Sequence, residues 1–427
     1  MIYIVLGILG FLALFIGVLF WNKPILLIYG VVIFCFVSDL FISILHMPES
    51  IHYVADFLSI YLMLIGIVLE LIKPHRLYAV APFIIILILG GIALASFCLN
   101  DYSLVTFGIG AFQFFRGFCF FIACICILEK EDVRRLSKLF MYAAFANLFI
   151  SLFEYFTYHA KWDNNGGLFG IIVGCNGKMN IYIVIVTSLV AVLYLNRKIS
   201  TLLTAGVLGC CLITATISEL KIYYLELIFC IALAVLLSKP SKKTVFFVVG
   251  GALAIRIAVL VLGQLYPLFA DFFNVETMIA YATEDYGTSE GSVNRLSGVP
   301  IMLSQYLNLP IQRLFGVGLG NAHVGSVFYN QYEYLKYTFF YTSYVVTEMG
   351  ILGLLGLILF FVVNAVVSVR SSFQNRENGE YYLTAGIISI LSIVLVIYDS
   401  SLLTTTSYLL YFWLAVPYII KKQPKLQ

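Results

Sequence analysis

Apolar runs of about twenty residues follow one another along most of this chain, and a run of that length spans the hydrocarbon core of a bilayer as a helix. Lipid supplies no water to backbone N–H and C=O groups, so such a run satisfies them only by becoming helical. Helices are predicted at 2–20, 25–45, 54–72, 78–98, 104–128, 139–158, 180–195, 200–217, 219–237, 244–266, 341–367, 382–398 and 404–420. That pattern predicts an all-α polytopic membrane protein of about 13 spans, one integral membrane domain over 1–427, with residues 267–340 as a large outer loop. Composition excludes an ordinary soluble enzyme, because 11% of the residues are charged against roughly 25% in soluble domains. The first run begins at Ile2 with no positive lead and no small-residue cleavage site, which predicts a retained span, not a signal peptide.

Loop charge tests the helix count independently, because Lys and Arg are retained on the cytoplasmic side. Alternate connections carry Lys23; Lys73 and Arg76; Lys130, Arg134, Arg135 and Lys138; Arg197 and Lys198; Lys239, Lys242 and Lys243; Arg370 and Arg376; and Lys421, Lys422 and Lys425. The opposite set holds Lys161, Lys178, Lys221, Arg295, Arg313 and Lys336, while Arg116 and Arg256 lie within spans. This asymmetry predicts the N-terminus outside and the C-terminus in the cytoplasm. A short hinge is expected between Ile217 and Glu219. A net charge of +3 with no basic block among aromatics excludes a nucleic-acid partner. Seven of the nine cysteines fall inside apolar runs and read as small core residues. Cys98 and Cys175 lie nearer run ends, where a disulfide is the less favoured reading.

The outer segment 267–340 is far longer than ordinary helix connections and is where a reaction centre is expected. Val299, Ile301, Met302, Leu303, Tyr306, Leu307 and Leu309 recur near helical spacing, which predicts an amphipathic surface helix over 299–314. No P-loop, Rossmann fingerprint, zincin motif, paired C-x-x-C or G-x-S-x-G elbow occurs. No metal or other cofactor is expected. Arg116, amid A-F-Q-F-F-R-G-F-C-F-F, requires compensation in lipid. It faces either a polar cavity that binds an anion such as a diphosphate, or a carboxylate, with Asp39, Asp56 and Glu154 available. Arg256 carries the same two readings, with an ion pair favoured. Lys221 either snorkels beside Glu219 or serves a site. G-V-G-L-G-N (316–321) could present amides to an anion or be an ordinary turn.

The order of four segments resembles the O-antigen polymerase and ligase superfamily, polytopic glycosyltransferases that use polyprenyl-diphosphate-linked sugars. They are G-G-L-F-G-I-I-V-G-C-N-G-K-M-N-I-Y (166–182), I-S-E-L-K-I-Y-Y-L-E-L (217–227), N-R-L-S-G followed by Q-R-L-F-G-V-G-L-G-N, and S-Y-V-V-T-E-M-G-I-L-G-L-L-G (343–356). The likeness covers roughly residues 165–370 and implies a GT-C-like fold. It implies transfer of a glycan from undecaprenyl diphosphate to a sugar hydroxyl on a second lipid-linked repeat unit, in a bacterial cytoplasmic membrane. Chain-length regulator and flippase partners are implied as well. Arg295, Lys221, Glu290 and His323 would then be catalytic, with Glu284 and Asp285 as further candidate bases. Arg116, Arg313, Asn180, Asn321 and Glu348 would bind substrate. Lys221 stands where the family usually has arginine, and Phe339 and Phe340 stand where a ligase has a His-Asn pair, which favours a polymerase. The alternatives are a ligase and, from another class, a flippase or exporter of lipid-linked sugar.

Overall fold

The computed structural model describes residues 2–72, 75–76, 79–100, 102–238, 242–265, 276, 279–280, 283, 286–288, 291–322, 340–375, 377–398 and 400–424. Its long helices are α1 (Ile2–Leu19), α2 (Pro24–Leu45), α3 (Tyr53–Ile72), α4 (Val80–Leu99), α5 (Leu104–Ile127), α6 (Lys130–Thr157), α7 (Cys175–Leu195), α8 (Thr201–Ile217), α9 (Lys221–Leu237) and α10 (Lys242–Leu265). After two short helices, α11 (Gly298–Ile301) and α12 (Pro310–Phe315), come α13 (Tyr341–Gln374), α14 (Gly379–Tyr398) and α15 (Ser407–Lys421). Every predicted apolar run is therefore helical. Among the described residues, eight helices are long and apolar enough to cross a membrane. Two short antiparallel ladders, 75–76 with 423–424 and 286–288 with 291–293, are the departures from an all-helical chain among these residues.

Helix ends differ from the hydropathy pattern where polar residues continue the helix beyond the apolar run. α6 starts at Lys130 because Glu129 and Asp132 close a capping box on its first turn. The amphipathic helix expected over 299–314 is broken. A π turn follows α11 at Met302–Tyr306, and the chain is extended at Leu309 before Pro310 opens α12. Proline excludes the preceding residue from helical geometry, a constraint the apolar spacing does not register. The hinge after α8 turns through Glu219 at φ 53°.

α7 lies at the centre, its apolar window 94% buried, packed by α6, α8, α9, α14 and α15. Outer faces are apolar too: Phe149 is 74% exposed and Leu202 85%. Water would penalise such a surface, whereas lipid accommodates it. Connections gather at two ends. At one, Lys130 meets Glu377 at 2.6 Å, Lys198 meets Glu380 at 3.1 Å and Lys422 meets Glu70 at 3.2 Å. At the other, Lys178 reaches Asp39 and Asn100 donates to the Gly316 carbonyl. All nine cysteines are free, Cys98 exposed and Cys175 buried.

Candidate functional site

A cavity of about 290 Å³ opens at this second end, lined by charged and polar groups including Glu49, His52, Asp56, Gln113, Arg116 and Lys178. Five chain segments line it: the turn Glu49–His52, the start of α3, α5, the first turn of α7, and Leu403–Thr405 between α14 and α15; Asp39 of α2 lies behind. Arg116 Nη1 donates to Asp56 Oδ2 at 3.1 Å. Tyr408 donates its hydroxyl to the other Asp56 oxygen. The ion-pair reading of Arg116 is realised with Asp56, and the paired guanidinium also lines the polar cavity. Its Nε has no hydrogen-bond partner among the described residues. Taking such a pair out of water costs several kcal/mol per ion before the attraction is counted.

Lys178 and His52 share one buried anion. Lys178 Nζ lies 2.7 Å and His52 Nε2 3.3 Å from Asp39 Oδ1. The glycine-rich lead into α7 sets this geometry. Gly167, Gly170 and Gly174 all have positive φ, and a Cβ on Gly170 would lie 2.6 Å from the Asp39 carbonyl oxygen. Only glycine lets the loop sit this close to α2. Helix α6 satisfies the loop's amides: Glu154 accepts from Gly167 N–H at 2.8 Å and Asn147 Oδ1 from Leu168 N–H at 2.9 Å. Glu154, one of the three carboxylates considered for Arg116, therefore supports the loop, and Asp56 is the partner.

The glycine segment 316–320 inserts its backbone against α13. That helix breaks at Gly350 (φ 67°, ψ −171°), which frees carbonyls of its first section. Val317 N–H donates to the Thr347 carbonyl at 2.8 Å and Gly318 N–H to the Glu348 carbonyl at 3.0 Å. Gly320 N–H donates to Glu348 Oε2 at 3.0 Å. These glycine-segment amides are engaged by the helix. The approach is close enough that a Cβ on Gly320 would lie 2.3 Å from the Thr106 carbonyl. Tyr102 donates to the Leu319 carbonyl at 3.2 Å; burial, with the nearby Glu348 carboxyl, pushes its phenol up from the ordinary value.

The remaining expected residues are dispersed. Arg295 places its guanidinium 5.4 Å from the Phe340 ring centre and 5.2 Å from that of Tyr398, which ties the stretch before α11 to the start of α13 and the end of α14. Arg313 donates to the Leu307 carbonyl at 2.9 Å, and Asn321 to the Val317 carbonyl at 3.1 Å. Lys221 pairs with Glu219 at 3.4 Å. Asn180, fully buried on α7, donates to Glu226 of α9 at 2.9 Å. Arg256 is exposed on α10, and none of the ion pairs among the described residues involves it, contrary to the pairing expected. Glu284, Asp285, Glu290 and His323 lie outside the described residues.

Sequence reasoning missed His52 and placed Lys178 merely among loop cations. One signal was available for the lysine, which interrupts the same glycine-rich motif that supplies Asn180. Residues 39, 52, 56, 116 and 178 form no motif, because their proximity arises from helix packing. No family model matches the chain, and no curated protein matches it.

Proposed function

We propose that this protein is a metal-independent membrane glycosyltransferase that joins lipid-linked glycan repeat units, taking the glycan from a polyprenyl diphosphate. The observation that carries the reading is the polar cavity, which sets Arg116 and Lys178 together at one end of the helical bundle. A diphosphate leaving group builds negative charge as its glycosidic bond breaks, and fixed cations that await this charge lower the barrier. Arginine has five N–H donors and lysine three, so each cation can keep its carboxylate and still donate to phosphate oxygens. The carboxylates, amide and hydroxyls around them suit the hydroxyls of a sugar. In this reading Arg295 and Lys221, with Arg313 behind them, contribute positive charge from beyond the cavity lining, while Asn180, Asn321 and Glu348 hold the surrounding architecture. In this reading all 13 long helices span a bacterial cytoplasmic membrane in a GT-C-like arrangement, with the cavity end outside. Accessibility tags at 130–138 and 284–290 should report opposite sides.

The break at Gly350 favours a second reading, export of lipid-linked sugar, because transporters build ion sites from broken helices. Here the Thr347 and Glu348 carbonyls already accept backbone amides, which weighs toward the enzyme. The deciding experiment gives purified protein a lipid-linked repeat unit with chelator and no ATP. Polymer should form, and Lys178→Gln should slow it about a hundredfold. A requirement for ATP or a proton gradient would favour export.

A further inference from the structure

We propose that the apolar cavity between α8, α9 and α10 holds an acyl chain of an anionic phospholipid whose phosphate rests at Arg197. The inference is independent of the glycosyl-transfer reading. The cavity measures about 310 Å³. Its polar lining residues, Tyr194, Thr201 and Thr204, gather at one end, and the rest of its wall is apolar. A helix rises about 1.5 Å per residue, so the lining from Thr201 to Leu212 runs about 16 Å along α8, close to half of a hydrocarbon core about 30 Å thick. That is the depth of one leaflet. Glycine inside a helix is destabilising relative to alanine, and close approach of neighbouring backbones is the usual compensation in membranes. Here a Cβ on Gly209 or Gly250, which both line the cavity, would meet nothing within 4 Å. Packing does not account for these glycines; the space beside the helices does.

Charge selects the headgroup. The connection 196–200 joins α7 to α8, and Arg197 stands in it between Tyr194 and Thr201, which both line the cavity. Its neighbour Lys198 is committed to Glu380 at 3.1 Å. Arg197 is exposed, and none of the ion pairs among the described residues involves it. α10 opens with Lys242 and Lys243 at the same end, since its Phe247 ring lies 5.5 Å from that of Tyr194. An apolar slot edged by cations fits a phosphodiester with its chain below. That phosphate is not the donor's diphosphate, because Lys178 in the polar cavity and Tyr194 lie near opposite ends of α7, about 24 Å apart along its axis. A second apolar cavity of about 330 Å³ continues along α8 and shares Gly209, Leu212 and Ala254 with the first, which gives the end of the chain further room.

The test titrates the purified, delipidated protein in detergent with phosphatidylglycerol or phosphatidylcholine of identical acyl chains and counts retained lipid by native mass spectrometry. The wild type should retain one phosphatidylglycerol in preference to phosphatidylcholine. Arg197→Gln should weaken phosphatidylglycerol about fivefold and leave phosphatidylcholine unchanged. Gly209→Leu should weaken both lipids by about tenfold or more, as the exclusion of two buried methylenes would, while the melting temperature of the lipid-free protein holds because the added side chain enters open space. Gly250→Leu obstructs the cavity from the facing helix, so the assignment stays testable if Gly209→Leu fails to fold. Equal retention of the two lipids by the wild type, or unchanged binding in a folded obstructed variant, overturns the proposal. A dimer that Gly209→Leu separates would give the cavity to a second copy of the chain, and displacement of phosphatidylglycerol by an equimolar polyprenyl phosphate would give it to the carrier lipid; either result overturns the proposal as well. None of these outcomes alters the transferase reading.

Discussion

The cavity and the glycine segment 316–320 both bury polar groups at the same end of the bundle, but they handle them in opposite ways. In the cavity, charged side chains from separate helices pair with one another, and Arg116 and Lys178 carry more N–H donors than their carboxylate partners take up. In the glycine segment the polar atoms are backbone, and the broken helix α13 engages them one by one. The first arrangement can still bind something. The second closes a packing problem, supplying partners to the Thr347 and Glu348 carbonyls left by the kink at Gly350. A buried polar group indicates a site only when it retains hydrogen-bonding capacity that its neighbours have not taken.

The comparison is tested most severely at Asp56. Asp56→Ala leaves Arg116 buried without its anion, and such losses cost about 3–5 kcal/mol, so the melting temperature in detergent should fall sharply. Replacing both partners, Arg116→Met with Asp56→Leu, should recover most of that stability while polymer formation is lost. A double variant that stays active would reduce the pair to a structural role.

Gly320→Ala probes the other region. Its φ of 82° and the Cβ contact at 2.3 Å with the Thr106 carbonyl predict a loss of about 1–3 kcal/mol, read as a lower melting temperature, with catalysis per folded molecule unchanged. A fully stable Gly320→Ala protein with impaired donor binding would restore the segment as an anion cradle.

Arg295→Ala removes the stack on Phe340 and Tyr398, which contributes about 0.5–1 kcal/mol, so the protein should remain folded and inserted. Polymer formation should nevertheless drop about a hundredfold, with single repeat units accumulating on lipid carriers. Normal polymer length would remove this residue from the mechanism.

The smallest effect on stability is expected at Lys221, whose partly exposed pair with Glu219 is worth about 0.2–1 kcal/mol. Lys221→Arg should retain activity and Lys221→Gln should lose it. Equal activity from the two would leave Lys221 as the partner of Glu219.

Much of the fold was legible because periodic hydrophobicity is local. The helices fell where apolar runs lay. The amphipathic helix over 299–314 failed because Pro310 overrides apolar spacing. The site was legible in one residue, Arg116, whose position in an apolar run required a partner. Neither its choice of Asp56 over Asp39 and Glu154 nor the presence of His52 could be read in advance.

The sequence by itself determined that this chain is a set of long apolar helices with a few charges that lipid would reject, since burial in hydrocarbon depends on composition over about twenty residues. Tertiary structure decided how those charges are compensated. A hydrogen bond or ion pair forms only within about 3–4 Å, and the packing of α2, α3, α5 and α7 brings His52, Asp56, Arg116 and Lys178 to the lining of one cavity with Asp39 behind it. It also decided that the glycines of 316–320 serve a broken helix, because the partners of their amides are carbonyls freed by a kink that chain order alone does not place beside them.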